Sequence, residues 1–121
     1  MSDYPVTIAL DITPADAAKH VQIVRFKGDL DKAGLASVKE TIEKTVEDFQ
    51  EKYLVFDFGK LRFINSEGIG MLLTVHYRLV KKNAALIIVQ LPNNVKDVLD
   101  VIGLLKIITS YDSWADFEQG V

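Results

Sequence analysis

The sequence lacks cysteine altogether, so disulfide bonds, thiolate metal sites and cysteine nucleophiles are excluded. It also lacks any run of roughly 18 consecutive apolar residues, the length that a membrane-spanning helix needs. Its first residues, Met1 to Pro5, show no basic region followed by an apolar core, as a signal peptide would. These absences predict a cytoplasmic protein without membrane insertion.

Basic charge is also in short supply. The 14 lysine and arginine residues are outnumbered by 17 acidic residues, which gives a formal net charge of -3. This balance provides no basic surface for nucleic acid. A length of 121 residues, with 49% hydrophobic and 26% charged residues, is typical of one globular domain. Because there is no repeat, low-complexity tract or linker, we predict a single domain over residues 1–121.

The beginning of the chain predicts two antiparallel strands. Apolar residues alternate with more polar ones from Val6 to Ile12, which is typical of a strand with one wet face. A second strand is predicted from His20 to Phe26 and ends at Gly28. A parallel crossover needs about a dozen residues or more, and the connection here is shorter and interrupted by Pro14. The receiver and Rossmann folds, which begin strand–helix–strand, are therefore disfavoured.

The rest of the chain alternates between helices and strands. Apolar periodicity and end signals predict helices over residues 33–50, 66–82, 92–102 and 113–118. Strands are predicted over residues 53–58, 84–91 and 106–111, and residues 59–65 are predicted to form a loop. This order predicts an α/β fold with a mixed sheet of about five strands and four helices. The first strand pair is antiparallel and the others are mostly parallel, with right-handed crossovers.

The most informative segment opens the second predicted helix. Asn65 or Ser66 is suited to cap that helix, and Asp31 either caps the first helix or lies in the loop before it. Glu67 falls in the first turn of the second helix, where a negative charge is favoured by about 0.3–1 kcal/mol. Gly68 and Gly70 lower helix propensity by about 1 kcal/mol each and would let another backbone approach closely.

Two interpretations of this segment remain open on the residues alone. In the first, Ser66 is only a cap and the glycines only relieve packing. In the second, the helix N-terminus is a site for negative charge. A phosphate on Ser66 would add about 1.5 to 2 negative charges, enough to switch an interface.

Three motifs together resemble the signature of STAS domains, the family of anti-sigma-factor antagonists. An apolar strand and the turn after it resemble the family's central motif: Val55-Phe56-Asp57-Phe58, then Phe63-Ile64-Asn65-Ser66-Glu67-Gly68-Ile69-Gly70. The family's Gly-Glu-Leu-Asp is similar to Gly28-Asp29-Leu30-Asp31, and its late helix with a Gly-Leu exit is similar to residues 95–104. The resemblance covers nearly the whole chain and implies a STAS-like sandwich.

By this resemblance the family's phosphorylatable serine falls on Ser66 and its loop aspartate on Asp31. Family members of this type bind a kinase-type anti-sigma factor, which phosphorylates the serine and releases them. The resemblance implies an anti-sigma-factor antagonist that controls transcription, is not an enzyme, and needs no cofactor. Other relatives are subunits of transporters or stress-sensing complexes, so a STAS subunit without phosphorylation is the alternative.

The sequence departs from the family pattern on both sides of Ser66. Asn65 stands where aspartate is usual, so it can hydrogen-bond but carries no charge. Glu67 stands where a second serine or another small residue is common, and it places a fixed negative charge beside Ser66. Two unit charges about 4 Å apart repel by about 4 kcal/mol at an effective dielectric constant near 20. These departures favour the alternative without phosphorylation.

We predict one partner-binding surface around this segment, formed by Asp29, Asp31, Asn65, Ser66, Glu67, Gly68, Met71 and Val75. A helical wheel places Met71 and Val75 on or toward the face opposite the core stripe of the second helix, and if that face is exposed it is an apolar patch next to Ser66 that suits a partner. That stripe comprises Ile69, Leu72, Leu73, His76 and Val80. The patch alternatively serves as a second packing surface, such as a self-dimer, so we predict a monomer or weak homodimer.

Other chemistries have weaker support in the sequence. His20 and His76 are far apart and have no carboxylate cluster, so no metal site is predicted. Gly68-Ile69-Gly70 lacks the third glycine of a dinucleotide loop, because Leu73 occupies that position. Asp57 lacks the acidic cluster of a phosphoaspartate receiver and is interpreted as a structural residue at a strand end. No nucleophile–base pair indicates an enzyme.

Overall fold

The structure, a computed structural model, describes residues 8–120, so Val6 and Thr7 of the first predicted strand lie outside the described residues. In this range the elements are β1 (Ile8–Ile12), β2 (Val21–Leu30), α1 (Lys32–Asp48), β3 (Tyr53–Ile64), α2 (Ser66–Lys81), β4 (Ala85–Val89), α3 (Asn93–Val101), β5 (Thr109–Tyr111) and α4 (Trp114–Gly120). A 3-10 turn, Leu104–Lys106, lies between α3 and β5. None of these helices is long and apolar enough to cross a bilayer.

All five strands form one mixed sheet in the order β1-β2-β3-β4-β5. The strands β1 and β2 are antiparallel, and each later neighbour pair is parallel. The predicted architecture is therefore confirmed. Right-handed crossovers between consecutive parallel neighbours bring their helices to the same face of a sheet. This is the reason why α1, α2 and α3 lie together.

The two faces of the sheet are covered unequally. Leu54, Phe56 and Phe58 of β3 point into the large core shared with α1, α2 and α3. Val55 points to the opposite face, where it packs in a smaller cluster with Phe117 of α4. Within residues 8–120, α4 is the only helix on that second face, so part of the sheet there stays open.

The large core is dominated by aromatic and branched side chains. Phe26 of β2 packs against Phe56 and Phe58, with ring centroids 4.8 and 5.1 Å apart. Leu72 and Leu79 of α2 are fully buried over the same face of the sheet. Each such side chain contributes about 1.5–3 kcal/mol by leaving water. This packing fixes the carboxyl ends of β2 and β3, from which the site is built.

The predicted loop at residues 59–65 is wrong, because β3 continues to Ile64 and β2 continues past Gly28 to Leu30. The two strands stay paired to their ends, with Leu30 opposite Ile64. Register shifts near Gly28 allow this pairing, and Gly28 adopts φ of 116°, which favours glycine. The stretch has a polar, loop-like sequence because residues such as Lys60 occupy its exposed positions.

Candidate partner-binding site

Two helices begin side by side at the carboxyl ends of β2 and β3. The last residues of these strands, Leu30 and Ile64, are partners in the sheet. Each strand is followed by one capping residue and then by a helix, α1 after Asp31 and α2 after Asn65. The fold therefore brings the starts of α1 and α2 together at the carboxyl ends of β2 and β3.

Both helices are capped by side chains that the sequence indicated. Asp31 Oδ1 accepts a hydrogen bond from the Gly34 N–H at 2.8 Å. Asn65 Oδ1 accepts from the N–H groups of Glu67 and Gly68 at 3.0 and 3.4 Å. Of the two candidates for capping α2, the structure selects Asn65, which leaves Ser66 as the first residue of the helix.

Replacing Asn65 with alanine is expected to lower the free energy of unfolding by about 1 kcal/mol, because two N–H groups lose their acceptor. Aspartate at this position keeps the acceptor and is expected to change stability by only a few tenths of a kcal/mol. Urea unfolding of the unaltered chain, Asn65→Ala and Asn65→Asp measures these differences in the free energy of unfolding. Equal stability of Asn65→Ala and the unaltered chain would show that the Asn65 side chain does not stabilise the start of α2.

Glycines let both helices approach the end of β2. A Cβ atom on Gly68 would lie 2.9 Å from the carbonyl oxygen of Leu30, which accepts a hydrogen bond from the Asn65 N–H at 3.1 Å. A Cβ atom on Gly34 would press against the carbonyl oxygen of Asp29. A Cβ atom on Gly70 would meet nothing within 4 Å. The predicted close approach is therefore seen at Gly68 and not at Gly70.

Ser66 is exposed at the mouth of a groove between α1 and α2. Within the described part of the chain, its hydroxyl has no hydrogen-bond partner. The groove has a volume of about 290 Å³ and is lined on α2 by Ser66, Glu67, Gly70, Met71, Thr74, Val75 and Arg78. The α1 side includes Leu35, Lys39 and Glu43. The serine is thus accessible beside a concave surface of mixed charge.

The placement of Val75 on an exposed face is wrong, because Val75 is only 3% exposed and belongs to the large core. The core side of α2 is formed by Gly68, Leu72, Val75 and Leu79, whereas Val80 is 50% exposed. Apolar residues surround most of this helix, so the wheel alone does not identify the buried side. Met71 is half-buried against the core and still reaches the groove.

Arg62 is a component of this region that sequence reasoning missed. Its Nε and Nη2 atoms bind the two carboxylate oxygens of Asp29, each at 3.2 Å. The backbone carbonyl of Arg62 accepts a hydrogen bond of 2.8 Å from the Asn94 side chain. A predicted loop at residues 59–65 gave no reason to place Arg62 beside β2. The alternation of Leu61 with polar neighbours was the available signal for a continued strand.

The structure brings six of the predicted residues together at the carboxyl ends of β2 and β3: Asp29, Asp31, Asn65, Ser66, Glu67 and Gly68. Met71 lies one turn further along α2, on the groove. Gly68 is buried and contributes close packing, while Ser66 and Glu67 are exposed.

The sequence model of the STAS domain matches residues 13–117 of this chain. The chain belongs to the STAS domain family. The resemblance of the three motifs is thereby confirmed, and the match includes both helix starts described above.

Individual relatives agree with this assignment. An anti-sigma F factor antagonist of Paenibacillus polymyxa is 28% identical over 93 residues, which cover 77% of this chain and 80% of the relative. The crystal structure of an anti-sigma factor antagonist from Mycobacterium paratuberculosis superposes with a TM-score of 0.83 and 22% identity. It covers 98% of this chain and 97% of that one. The Bacillus cell fate determinant SpoIIAA in its phosphorylated form gives a TM-score of 0.68, with 16% identity and coverage of 93% and 100%. The two structural matches establish a shared fold.

Proposed function

We propose that this protein is a cytoplasmic anti-sigma-factor antagonist, a binding module and not an enzyme. Its partner is an anti-sigma factor with serine-kinase activity, which it binds through the surface around Ser66. The observation that carries this proposal is the exposed Ser66 hydroxyl at the first position of a capped helix, beside a groove. The name of the Paenibacillus relative, an anti-sigma F factor antagonist, supports the choice of partner.

The surface is suited to binding because its backbone is held before a partner arrives. Asp31 and Asn65 cap the two helices, and Gly34 and Gly68 seat both helices against the end of β2. A surface that is already ordered loses less conformational freedom on association. Ser66 sits on this fixed frame, so a change at its hydroxyl directly alters the surface that a partner meets.

Phosphorylation of Ser66 is proposed as the switch that releases the partner. A phosphate would add about 1.5 to 2 negative charges at the edge of the groove. Glu67, the neighbouring exposed carboxylate, makes the local charge still more negative. An interface fitted to a neutral hydroxyl would then have to desolvate several charges.

The switch is tested by incubating the chain with a kinase-type anti-sigma factor from the same organism and Mg-ATP, followed by intact-mass measurement. The expected result is one added phosphate, absent in Ser66→Ala. Ser37→Ala is the matched control, because Ser37 is also an exposed serine in the first turns of a neighbouring helix. It should leave the phosphate in place. Phosphate that persists in Ser66→Ala would assign the acceptor elsewhere.

Docking is tested separately by calorimetry. Ser66→Asp is expected to weaken binding of the same anti-sigma factor about tenfold, equivalent to about 1.4 kcal/mol. Ser37→Asp places the same charge on α1 and should change the affinity much less. Unchanged affinity in Ser66→Asp would remove Ser66 from the interface, whatever the mass measurement shows.

A second candidate function is a STAS subunit of a transporter or stress-sensing complex that is not phosphorylated. The exposed Glu67 beside Ser66 favours it, because this carboxylate repels a phosphate. Tight binding to such a complex without any added phosphate would support this alternative over the switch. Both candidates use the same surface, so Ser66→Asp weakens binding in either case.

A further inference from the structure

The second face of the sheet contains a groove that the proposed function does not use. Its volume is about 570 Å³, in the range of small-molecule sites. Its polar walls are formed by Asp11, Arg25, Lys27, Asp57, Lys60, Gln90 and Trp114. It is open because the three connecting helices lie on the opposite face, and α4 covers only part of this one.

Asp57 is the structural centre of the groove. Asp57 as a whole residue is 6% exposed, and its carboxylate accepts hydrogen bonds from the Gly59 N–H at 2.8 Å and from Trp114 Nε1 at 2.9 Å. Gln90 Nε2 donates to both of its oxygens at 3.1 Å, and Arg25 Nε lies 3.7 Å away. With so many partners, Asp57 fixes the walls of the groove and is not itself available to a ligand.

Two lysines give the groove its charge. Lys27 and Lys60 are partners on adjacent strands, both are exposed, and both line the groove. Neither forms an ion pair within residues 8–120. Like charges in neighbouring positions of a sheet repel. A bound anion would relieve that repulsion.

The balance of charge in the groove also favours an anion. Arg25, Lys27 and Lys60 face two carboxylates, those of Asp11 and Asp57. The chain as a whole carries a net charge of -3, so this is a locally cationic site on an acidic protein. The Arg25 Nε atom lies 3.7 Å from the Asp57 carboxylate, beyond hydrogen-bond distance, so the guanidinium N–H donors are not hydrogen-bonded to Asp57.

An aromatic wall completes the site. The Trp114 indole lies over one side of the groove, with the Arg25 guanidinium carbon 5.8 Å from its ring centroid. Its N–H is bound to Asp57, which holds the ring in place. An apolar or aromatic body can pack on this ring while an acidic head meets the lysines.

We infer that this groove binds a small organic anion, with a carboxylate or phosphate head on an apolar or aromatic body. The site is separate from the surface around Ser66 and does not depend on the anti-sigma-factor proposal. Trp114 is the only tryptophan in the chain, so its fluorescence reports on the groove without any label.

The test is a fluorescence titration of the full chain with benzoate, phenyl phosphate, inorganic phosphate and benzyl alcohol. A saturable change with benzoate or phenyl phosphate is expected in the millimolar range or tighter, and the stronger of the two identifies the preferred head group. Inorganic phosphate should bind at least about tenfold more weakly, since it lacks a body to pack on the indole. Benzyl alcohol, which has no charge, should give no saturation.

The variant carrying Lys27→Gln and Lys60→Gln should bind the preferred anion about tenfold more weakly than the unaltered chain. Lys81→Gln, at an exposed lysine ending α2 on the opposite face, is the control and should bind normally. Amide chemical shifts of the unaltered chain give a second readout, with changes expected at Gly59 and Lys60. No saturation with either aromatic anion, or unchanged affinity in the double variant, would overturn the inference.

Discussion

Replacing Gly34 with alanine is expected to lower the free energy of unfolding by about 3 kcal/mol, as strong overpacking does. Helix propensity alone predicts a gain of about 1 kcal/mol for the same change, because Gly34 lies inside α1. The steric term outweighs propensity because the new methyl group would press against the backbone carbonyl of Asp29. A backbone atom in a paired strand does not move aside as the end of a flexible side chain does.

Two other glycines provide the controls for this prediction. Gly70→Ala places a methyl group in open space and is expected to raise stability by up to about 1 kcal/mol. Gly68→Ala should lie between the two, because its methyl group meets the movable Ile64 side chain at 2.7 Å as well as the Leu30 carbonyl. Urea unfolding followed by circular dichroism ranks the three variants. A Gly34→Ala protein as stable as Gly70→Ala would contradict the close approach of α1 to β2.

This ranking also bears on the candidate site. Gly34 and Gly68 pack against neighbouring carbonyls, those of Asp29 and Leu30, at the end of the same strand. A variant that pushes either helix outward is therefore expected to displace the capping residue at the start of that helix, Asp31 or Asn65. Gly70→Ala does not, since Gly70 lines the groove and supports no other backbone. Weaker partner binding by Gly70→Ala would therefore report on the groove itself, because this variant is not expected to disturb the packing of either helix.

Much of the fold followed from local signals. A short connection interrupted by Pro14 predicted the antiparallel β1–β2 pair, and alternating elements predicted the parallel remainder. The caps Asp31 and Asn65 were recognisable because a capping side chain acts on backbone only two or three residues away. The candidate site was predictable to the extent that it is made of such local features.

The errors arose where distant parts of the chain decide the structure. Residues 59–64 extend β3 because β2 pairs with them, although their composition is typical of a loop. Val75 is buried because α2 packs against α1 as well as the sheet. A helical wheel shows only the angular positions of residues on one helix, so it could not predict this second contact. Asp57 was correctly interpreted as structural, but it lies within β3 and not at a strand end. Its partner Trp114 is 57 residues away along the chain.

The replacement of Asp57 by asparagine, which is nearly the same size, is expected to lower the free energy of unfolding by about 3 kcal/mol. Every group hydrogen-bonded to this side chain is a donor: the Gly59 N–H, the Gln90 amide and the Trp114 indole. A carboxylate accepts from all of them, whereas asparagine replaces one acceptor oxygen with an NH₂ group. Donors would then face donors in a position that is 6% exposed.

Asp57→Asn is therefore expected to be about as destabilising as Asp57→Ala, which removes the acceptors outright. Trp114→Phe, which removes one donor and leaves the carboxylate its other partners, should lower stability by only about 1 kcal/mol. Urea unfolding followed by circular dichroism compares all three variants, including the one without tryptophan. Stability of Asp57→Asn within about 0.5 kcal/mol of the unaltered chain would show that charge and acceptor count at this position are dispensable. Because the same carboxylate holds Arg25, Gln90 and Trp114 in place, loss of its acceptors should also disorder the groove that they line.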